Sequence, residues 1–265
     1  MSKVLLQFLI LAVVFLTVWF GFSSIDYVKH FHLNGLSKRT EKKIGKIIMD
    51  GIKKSNKEIE TDSVVQVMDE IKTRLCTGNA IDPDEIHLHL IESDDVNAFA
   101  LPGNHIVVYT GLINQCDSVT ELCGVLSHEM GHLQLNHVMK RLINEMGIGV
   151  LATIATNGNS QVVSQIIKTL SSTAFERKQE SEADAKGVEF LKHARINPRG
   201  FSDFMFKIAD SKLGTPSQLA WLSTHPDSKE RAETILSLID TNQTNYKPVI
   251  SNASWQTLKD AADDK

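Results

Sequence analysis

The sequence predicts an α+β fold that is mainly helical, with a small β-sheet beside the helix that contains residues 128–132, and one N-terminal transmembrane helix. Three observations predict it: apolar residues recur at helical spacing along most of the chain, two short segments have strand composition, and residues 4–22 are almost wholly apolar. A chain of 265 residues with 42% hydrophobic content can bury a full core. The net charge of −4, without a basic stripe, indicates no nucleic-acid partner.

The N-terminal apolar segment has the length of a membrane-spanning helix. Residues 4–22 would span about 28 Å at ~1.5 Å per residue, close to the thickness of the hydrocarbon core. No small-residue cleavage site follows, which favours an uncleaved anchor at residues 1–24 over a cleaved signal peptide. Lys3 favours a cytoplasmic N-terminus and a domain in the periplasm, whereas the basic cluster at residues 38–43 argues for the opposite orientation. We expect a single-pass protein of the inner membrane.

The rest of the chain divides into three parts. Residues 25–60 predict a helical juxtamembrane segment, residues 61–240 a catalytic domain, and residues 241–265 a polar tail that either docks or stays loose. Inside the domain, residues 86–91 alternate like a strand, and the β-branched run at residues 106–110 predicts another.

Two features of the domain carry no chemistry of their own. Residues 146–155 are apolar but too short to cross a bilayer, which leaves a core helix or an amphipathic cover as the interpretations. Cys76, Cys116 and Cys123 form no metal-binding pattern, and we expect no bridge between the last two.

The segment His128-Glu129-Met130-Gly131-His132 is the strongest chemical signal. On a helix, residues four apart lie on one face, so the two imidazoles converge, while the glutamate reaches a ligand held beside them. Two neutral imidazoles and a nearby carboxylate can hold Zn²⁺ and take a proton from its water, and this spacing is typical of zinc peptidases. Ser118 begins a capping-box pattern that predicts the start of this helix.

A catalytic zinc site needs a third protein ligand. Glu180 and Asp184 share one face of a second predicted helix, so Glu180 can bind the ion while Asp184 orients a histidine ligand. Glu182 lies on another face, and spacing leaves open which glutamate binds. His137 is out of register for a third histidine ligand, and we interpret it as a helix-end residue that is favourable there when charged.

These residues resemble the membrane-associated zinc metallopeptidases that include the CAAX prenyl endopeptidase, HtpX and the periplasmic BepA-type proteases. The resemblance covers roughly residues 60–235 and implies a zincin-like metallopeptidase domain. Four stretches carry it, in the family's order: residues 97–112, residues 128–132, residues 180–184, and His225-Pro226 with Arg231.

The resemblance implies a role for each site residue. Glu180 is the third ligand of one Zn²⁺ per chain, beside His128 and His132, and Glu129 is the general base. Asp184 and Arg231 support the site from behind. His225 either stabilises the oxyanion or fills the open metal position. The candidate substrate-binding residues are Asn97, Ala98, Phe99, Val107 and Tyr109, the last two on a strand whose edge is a candidate for binding an extended peptide.

The leading hypothesis is a membrane-anchored zinc endopeptidase that acts on protein substrates, with a role in protein quality control. The alternatives are a zinc-containing chaperone or scaffold of the same fold with little proteolysis, and a hydrolase of another bond. The intact Glu129 argues against a pure scaffold, which needs no base.

Overall fold

A computed structural model describes residues 36–210, 220–240 and 243–264, together with residues 7, 11–13, 15 and 17. By its internal contacts the chain forms two units, Met1–Ser37 and Lys38–Lys265, and the fold below is that of the second. Among the described residues, no helix combines the length and the apolar character needed to cross a membrane. The predicted membrane helix at residues 4–22 lies mostly outside the described residues, so the anchor stays a prediction.

The described part of the larger unit is mainly helical, as predicted. Its first half contains α1 (Lys38–Ser55), α2 (Asp62–Gly78), β1 (His87–Ile91), β2 (Ala98–Leu101), β3 (His105–Tyr109) and α3 (Thr110–Gln115). The middle contains α4 (Val119–Gln134), α5 (His137–Met146), α6 (Ile148–Asn157) and α7 (Ser160–Ser172). The last part contains α8 (Arg177–His193), α9 (Arg199–Ala209), α10 (Ala220–Thr224), α11 (Ser228–Leu238) and α12 (Asn252–Asp263).

The small sheet has the order β1–β3–β2, with β3 parallel to β1 and antiparallel to β2. A tight turn joins β2 to β3, and Gly103 and Asn104 there have φ values of 75° and 65°. Glycine and asparagine are the residues that tolerate this left-handed conformation best. The sequence predicted β1 and β3 but not β2, because all four residues of β2 are buried and show no polar–apolar alternation.

Helix α4 lies at the centre of the core, and every residue from Glu121 to His132 is buried. Two glycines let neighbouring helices approach it closely. A Cβ added at Gly124 would lie 2.6 Å from Phe201 Cα on α9, and one added at Gly131 would lie 2.9 Å from the Ala183 carbonyl oxygen on α8. Backbones that approach this closely hold the side chains of α4 and α8 in a fixed relation.

The segments that the sequence left open are packed in the described structure. Helix α6 buries Leu151 and Ile154, while Ile148 and Val150 near its start are exposed. The tail docks through α12, whose Leu258 is fully buried.

The three cysteines are free and buried in the described structure.

Candidate active site

Helix α4 begins where its capping residues predict. The Ser118 hydroxyl oxygen accepts a hydrogen bond from the Glu121 backbone N–H, and a Glu121 carboxylate oxygen accepts one from the Asp117 N–H at 3.0 Å. The helix runs unbroken through His128 and His132. These two residues lie one turn apart on the same face, and both side chains are fully buried.

Helix α8 brings a carboxylate to the two imidazoles. Glu180 Oε1 lies 3.3 Å from His132 Nε2, and Glu180 Oε2 lies 3.7 Å from His128 Nε2. The two Nε2 atoms are 3.0 Å apart. Ligand atoms of these three residues and of His225 all lie within 4.8 Å of one another. Two helices distant in sequence thus bring Glu180 to the two imidazoles, whereas Glu182 points elsewhere, toward His137.

The proton positions in this cluster favour a cation. His128 Nδ1 lies 2.9 Å from Asp184 Oδ1, although poorly aligned for a hydrogen bond, and His132 Nδ1 lies 3.0 Å from His137 Nδ1, whose Nε2 contacts Glu182 at 3.2 Å. We assign a proton to the Nδ1 of both helix-borne histidines on the basis of these partners. Their Nε2 atoms then face each other unprotonated, and a shared cation removes the repulsion. The residues present therefore fit a metal ion.

A buried ion pair supports the cluster from behind. Arg231 donates to both Asp184 oxygens, each at 2.7 Å, and its Nη1 contacts Glu180 Oε2. Burial alone would raise the pKa of Asp184, but the hydrogen bonds and charge of Arg231 lower it below its usual value. Asp184 is thereby kept ionised beside His128, as a residue that orients a metal ligand must be.

Glu129 lies against the edge of the sheet. Its Oε2 accepts a hydrogen bond of 2.8 Å from the backbone N–H of Ala100 on β2, while Oε1 is buried, has no hydrogen-bond partner among the described residues and lies 3.4 Å from His225 Nε2. Burial, and then the charge of Glu180, raise the pKa of Glu129 well above its ordinary value. Oε2 is therefore held by the sheet, and Oε1 is directed at the site. The raised pKa gives the carboxylate a strong affinity for a proton.

His225 closes the cluster in this conformation. It follows α10, stacks on Trp221 with ring centroids 4.0 Å apart, and is 1% exposed. Its Nδ1 lies 3.0 Å from Glu180 Oε1 and 3.2 Å from His128 Nε2, among the candidate ligand atoms. Burial lowers the pKa of His225 to about 4, so the ring is neutral at pH 7 and has a lone pair to offer.

The candidate substrate residues divide between two strands. Tyr109 N–H donates to the Asn97 carbonyl, so alternate backbone groups of β2, those of Ala98 and Ala100, point away from β3. The interpretation that β3 offers a free edge is wrong, because β3 pairs with a strand on each side. Val107 is fully buried in that central strand, and the strand nearer the site with an outward edge is β2.

Sequence reasoning misjudged His137. It is the first residue of α5, where the helix dipole disfavours a positive charge, and burial lowers its pKa. It is 1% exposed and contacts His132, so it supports the site and is not a charged helix end. Sequence reasoning also missed Phe175, whose ring stacks on His132 with centroids 3.9 Å apart, under the guanidinium of Arg141 at 4.4 Å. No local pattern marks these partners, since they lie on separate elements.

Two imidazoles four residues apart on one helix and a carboxylate from a second helix form the ligand set of a metalloprotease centre. The carboxylate next to the first imidazole is in the position of its base. A comparison with protein families agrees: the family model described as peptidase family M48 matches residues 62–239. The chain belongs to peptidase family M48.

Named relatives are proteases, and two of the three below are metalloproteases by name. The metalloprotease LoiP of Escherichia coli is 32% identical over 165 residues, which cover 60% of this chain and 64% of that protein. The mitochondrial metalloendopeptidase OMA1 of Bos taurus is 32% identical over 167 residues, covering 57% of this chain and 32% of OMA1. The β-barrel assembly-enhancing protease of E. coli is 23% identical over 209 residues, covering 74% and 43%. This chain thus spans less than two thirds of the length of these relatives.

Proposed function

We propose that this protein is a zinc-dependent endopeptidase that hydrolyses peptide bonds of protein substrates. The single observation that carries the proposal is the convergence of His128, His132 and Glu180, with Glu129 beside them. Two imidazoles and a carboxylate are a common ligand set for catalytic zinc, which keeps its fourth position for water or substrate. We assign one Zn²⁺ per chain to this set.

The chemistry divides between the ion and the protein. When bound, zinc acts as a Lewis acid that polarises the scissile carbonyl and makes a water molecule acidic near neutral pH. Glu129 Oε1, the unpartnered oxygen, accepts the proton of the attacking water and passes it to the leaving amine nitrogen. The Ala100 N–H holds Oε2 and so fixes the direction of the carboxylate throughout.

We propose that the substrate binds as an added strand on the outward edge of β2. There the backbone N–H and C=O of Ala98 and the C=O of Ala100 point away from β3, while the Ala100 N–H holds the Glu129 carboxylate at the same edge. Asn97 and Phe99 flank these groups, although Asn97 Nδ2 now donates to the Ser171 carbonyl of α7 at 3.3 Å. Substrate binding through the Asn97 side chain would break this contact with α7.

His225 is assigned to the resting state, in which its ring lies among the ligand atoms and closes the position that water needs. After it turns away, its N–H is available to the carbonyl oxygen as negative charge develops there. These two roles have opposite signatures. Substitution His225→Ala raises the basal cleavage rate if closing the site dominates, and lowers it if oxyanion stabilisation dominates.

We further propose that residues 4–22 anchor the chain in the inner membrane with the peptidase domain in the periplasm, where it serves protein quality control. The apolar length of this segment supports the anchor, and Lys3 before it supports the orientation. Protease treatment of spheroplasts tests the assignment: the domain is digested without lysis if it faces the periplasm. A domain that is protected until lysis would overturn the orientation.

The decisive experiment compares wild type with Glu129→Gln on an unfolded protein substrate. We expect the variant to keep stoichiometric zinc and to cleave roughly 10²–10⁴-fold more slowly, because it lacks a base. Equal cleavage by both would refute the chemistry, and an absence of zinc-dependent cleavage by wild type would favour the chaperone alternative. Zinc analysis of His128→Ala and Glu180→Ala tests the ligand set, since either variant should hold one zinc ion fewer per chain than wild type.

A further inference from the structure

Three imidazoles gather on one face of the sheet, and none of them belongs to the catalytic cluster. His87 and His89 are two residues apart on β1, so their side chains share a face, and His105 on β3 is the register partner of His87. The ring of His105 lies 4.8 Å from that of His87 and 5.1 Å from that of His89, centroid to centroid. His89 Nε2 and His105 Nδ1 are 2.9 Å apart.

A carboxylate orients the imidazole of His89. Glu58 Oε1 lies 2.6 Å from His89 Nδ1, and the ammonium of Lys53 contacts the same carboxylate. Burial opposes ionisation of Glu58, but the hydrogen bonds from Lys53 and His89 lower its pKa below its usual value. We therefore place the His89 proton on Nδ1, which leaves a lone pair on Nε2 facing His105. Carboxylate, histidine and a free Nε2 in line form the arrangement that prepares a histidine for a metal ion.

The three rings are in the form that binds metals. Burial lowers the pKa of His87, His89 and His105, in the last case to about 4, so all three are neutral at pH 7. The charged groups that act on them are Lys42, Lys53, Lys72, Glu58, Glu60 and Asp84. His87 is exposed and the other two rings are partly exposed, which leaves the cluster accessible from solvent.

We propose that His87, His89 and His105 form a second metal site, for a divalent transition ion of the class that imidazole prefers, Zn²⁺, Ni²⁺ or Cu²⁺. Tetrahedral bonds of about 2.0–2.1 Å place two ligand nitrogens about 3.3 Å apart, so His89 and His105 must separate by about 0.4 Å. The exposed His87 ring completes the site by turning toward them.

Metal binding must compete with a hydrogen bond. Without the ion, His105 Nδ1–H donates to His89 Nε2, which links β3 to β1. Binding moves that proton from Nδ1 to Nε2 of the same ring, so the exchange is balanced within His105 and releases no proton. The bound ion would join two strands and, through Glu58, the segment between α1 and α2.

Equilibrium dialysis of the metal-depleted full chain against Ni²⁺ or Zn²⁺ tests the site. We expect two ions per wild-type chain and one per His89→Ala/His105→Ala chain. A His128→Ala chain should keep one ion, since the loss of the catalytic site leaves the second site intact. The matched control is His193→Ala, which removes an exposed imidazole that is hydrogen-bonded to Asn79, and it should keep two ions.

Two results would overturn the proposal: wild type that takes up one ion at free metal up to about 100 μM, or a double variant that keeps both. A spectroscopic measurement on the unmutated chain covers the case in which the double variant does not fold. Substoichiometric Cu²⁺ should broaden the ring-proton resonances of His87, His89 and His105 together, and unaffected resonances would mean that the cluster is only a hydrogen-bonded link between strands.

Discussion

The contact between α4 and α8 at Gly131 is the part of the site most sensitive to a single methyl group. In Gly131→Ala, the added Cβ would lie 2.9 Å from the Ala183 carbonyl oxygen and 3.2 Å from its Cα. Both are backbone atoms, so no side chain can turn away, and the helices must separate by about half an ångström to restore ordinary contact. This displacement acts next to His132 on one helix and three residues from Glu180 on the other.

The expected magnitudes follow from that shift. Overpacking costs about 1–3 kcal/mol, and alanine recovers about 1 kcal/mol of helix propensity, so unfolding stability falls by about 0–2 kcal/mol. We expect the loss of zinc affinity to be larger than this loss of stability. His132 Nε2 and Glu180 Oε1 are 3.3 Å apart, and the displacement of about half an ångström would widen this gap. Metal sites tolerate only about ±0.2 Å in ligand distance. We expect zinc affinity to fall about 10–100-fold.

Chelator competition measures zinc affinity, and urea unfolding of the metal-free chain measures stability. Gly149→Ala is the matched control, because Gly149 is also helical but no atom of the described residues lies within 4 Å of an added Cβ. The control should be stabilised by up to about 1 kcal/mol and should bind zinc like wild type. If Gly131→Ala also bound zinc like wild type, the claim that this close approach sets the ligand geometry would be refuted.

Three further predictions concern residues around the site and the core. His137→Ala should weaken zinc binding about 10–100-fold, because His132 loses the partner of its Nδ1, and unchanged affinity in the chelator assay would contradict this. Burial lowers the pKa of His105 to about 4, so the unfolded chain binds more protons below about pH 6.5 and metal-free stability should fall between about pH 6.5 and 4. Urea midpoints for His105→Gln should then vary less with pH over that window than those of wild type. Lys259→Met should destabilise the fold by about 1–2 kcal/mol, because Lys259 Nζ donates to three carbonyls at the end of α3, each at 3.0 Å, and an unchanged urea midpoint would rule this out.

Local pattern was enough to predict the elements that carry the ligands. The capping sequence at Ser118 and the four-residue spacing of His128 and His132 depend on helix geometry alone, and α4 has the predicted start. The strands β1 and β3 were also predicted from local pattern. Alternation at residues 86–91 indicated β1, and the β-branched run at residues 106–110 indicated β3. Strand β2 was missed, since burial on all sides removes the alternation by which strands are recognised.

Contacts between distant elements decided the rest. The order β1–β3–β2 puts β2 at the edge beside Glu129 and β3 in the middle, which no pattern within either strand could show. The role of His137 also depended on such a contact. The sequence predicted a charged helix end, whereas the turn after α4 brings its ring to His132.

The sequence by itself determined which chemical groups are present and which of them share a helix face, since helical periodicity is a property of consecutive residues. Only the tertiary structure decided which carboxylate meets the imidazoles. Spacing left Glu180 and Glu182 as alternatives, and the packing of α8 against Gly131 turns Glu180 inward at 3.3 Å from His132 Nε2. This contact is between residues far apart in the chain. It therefore depends on how whole helices pack and not on the local conformational preference of either segment.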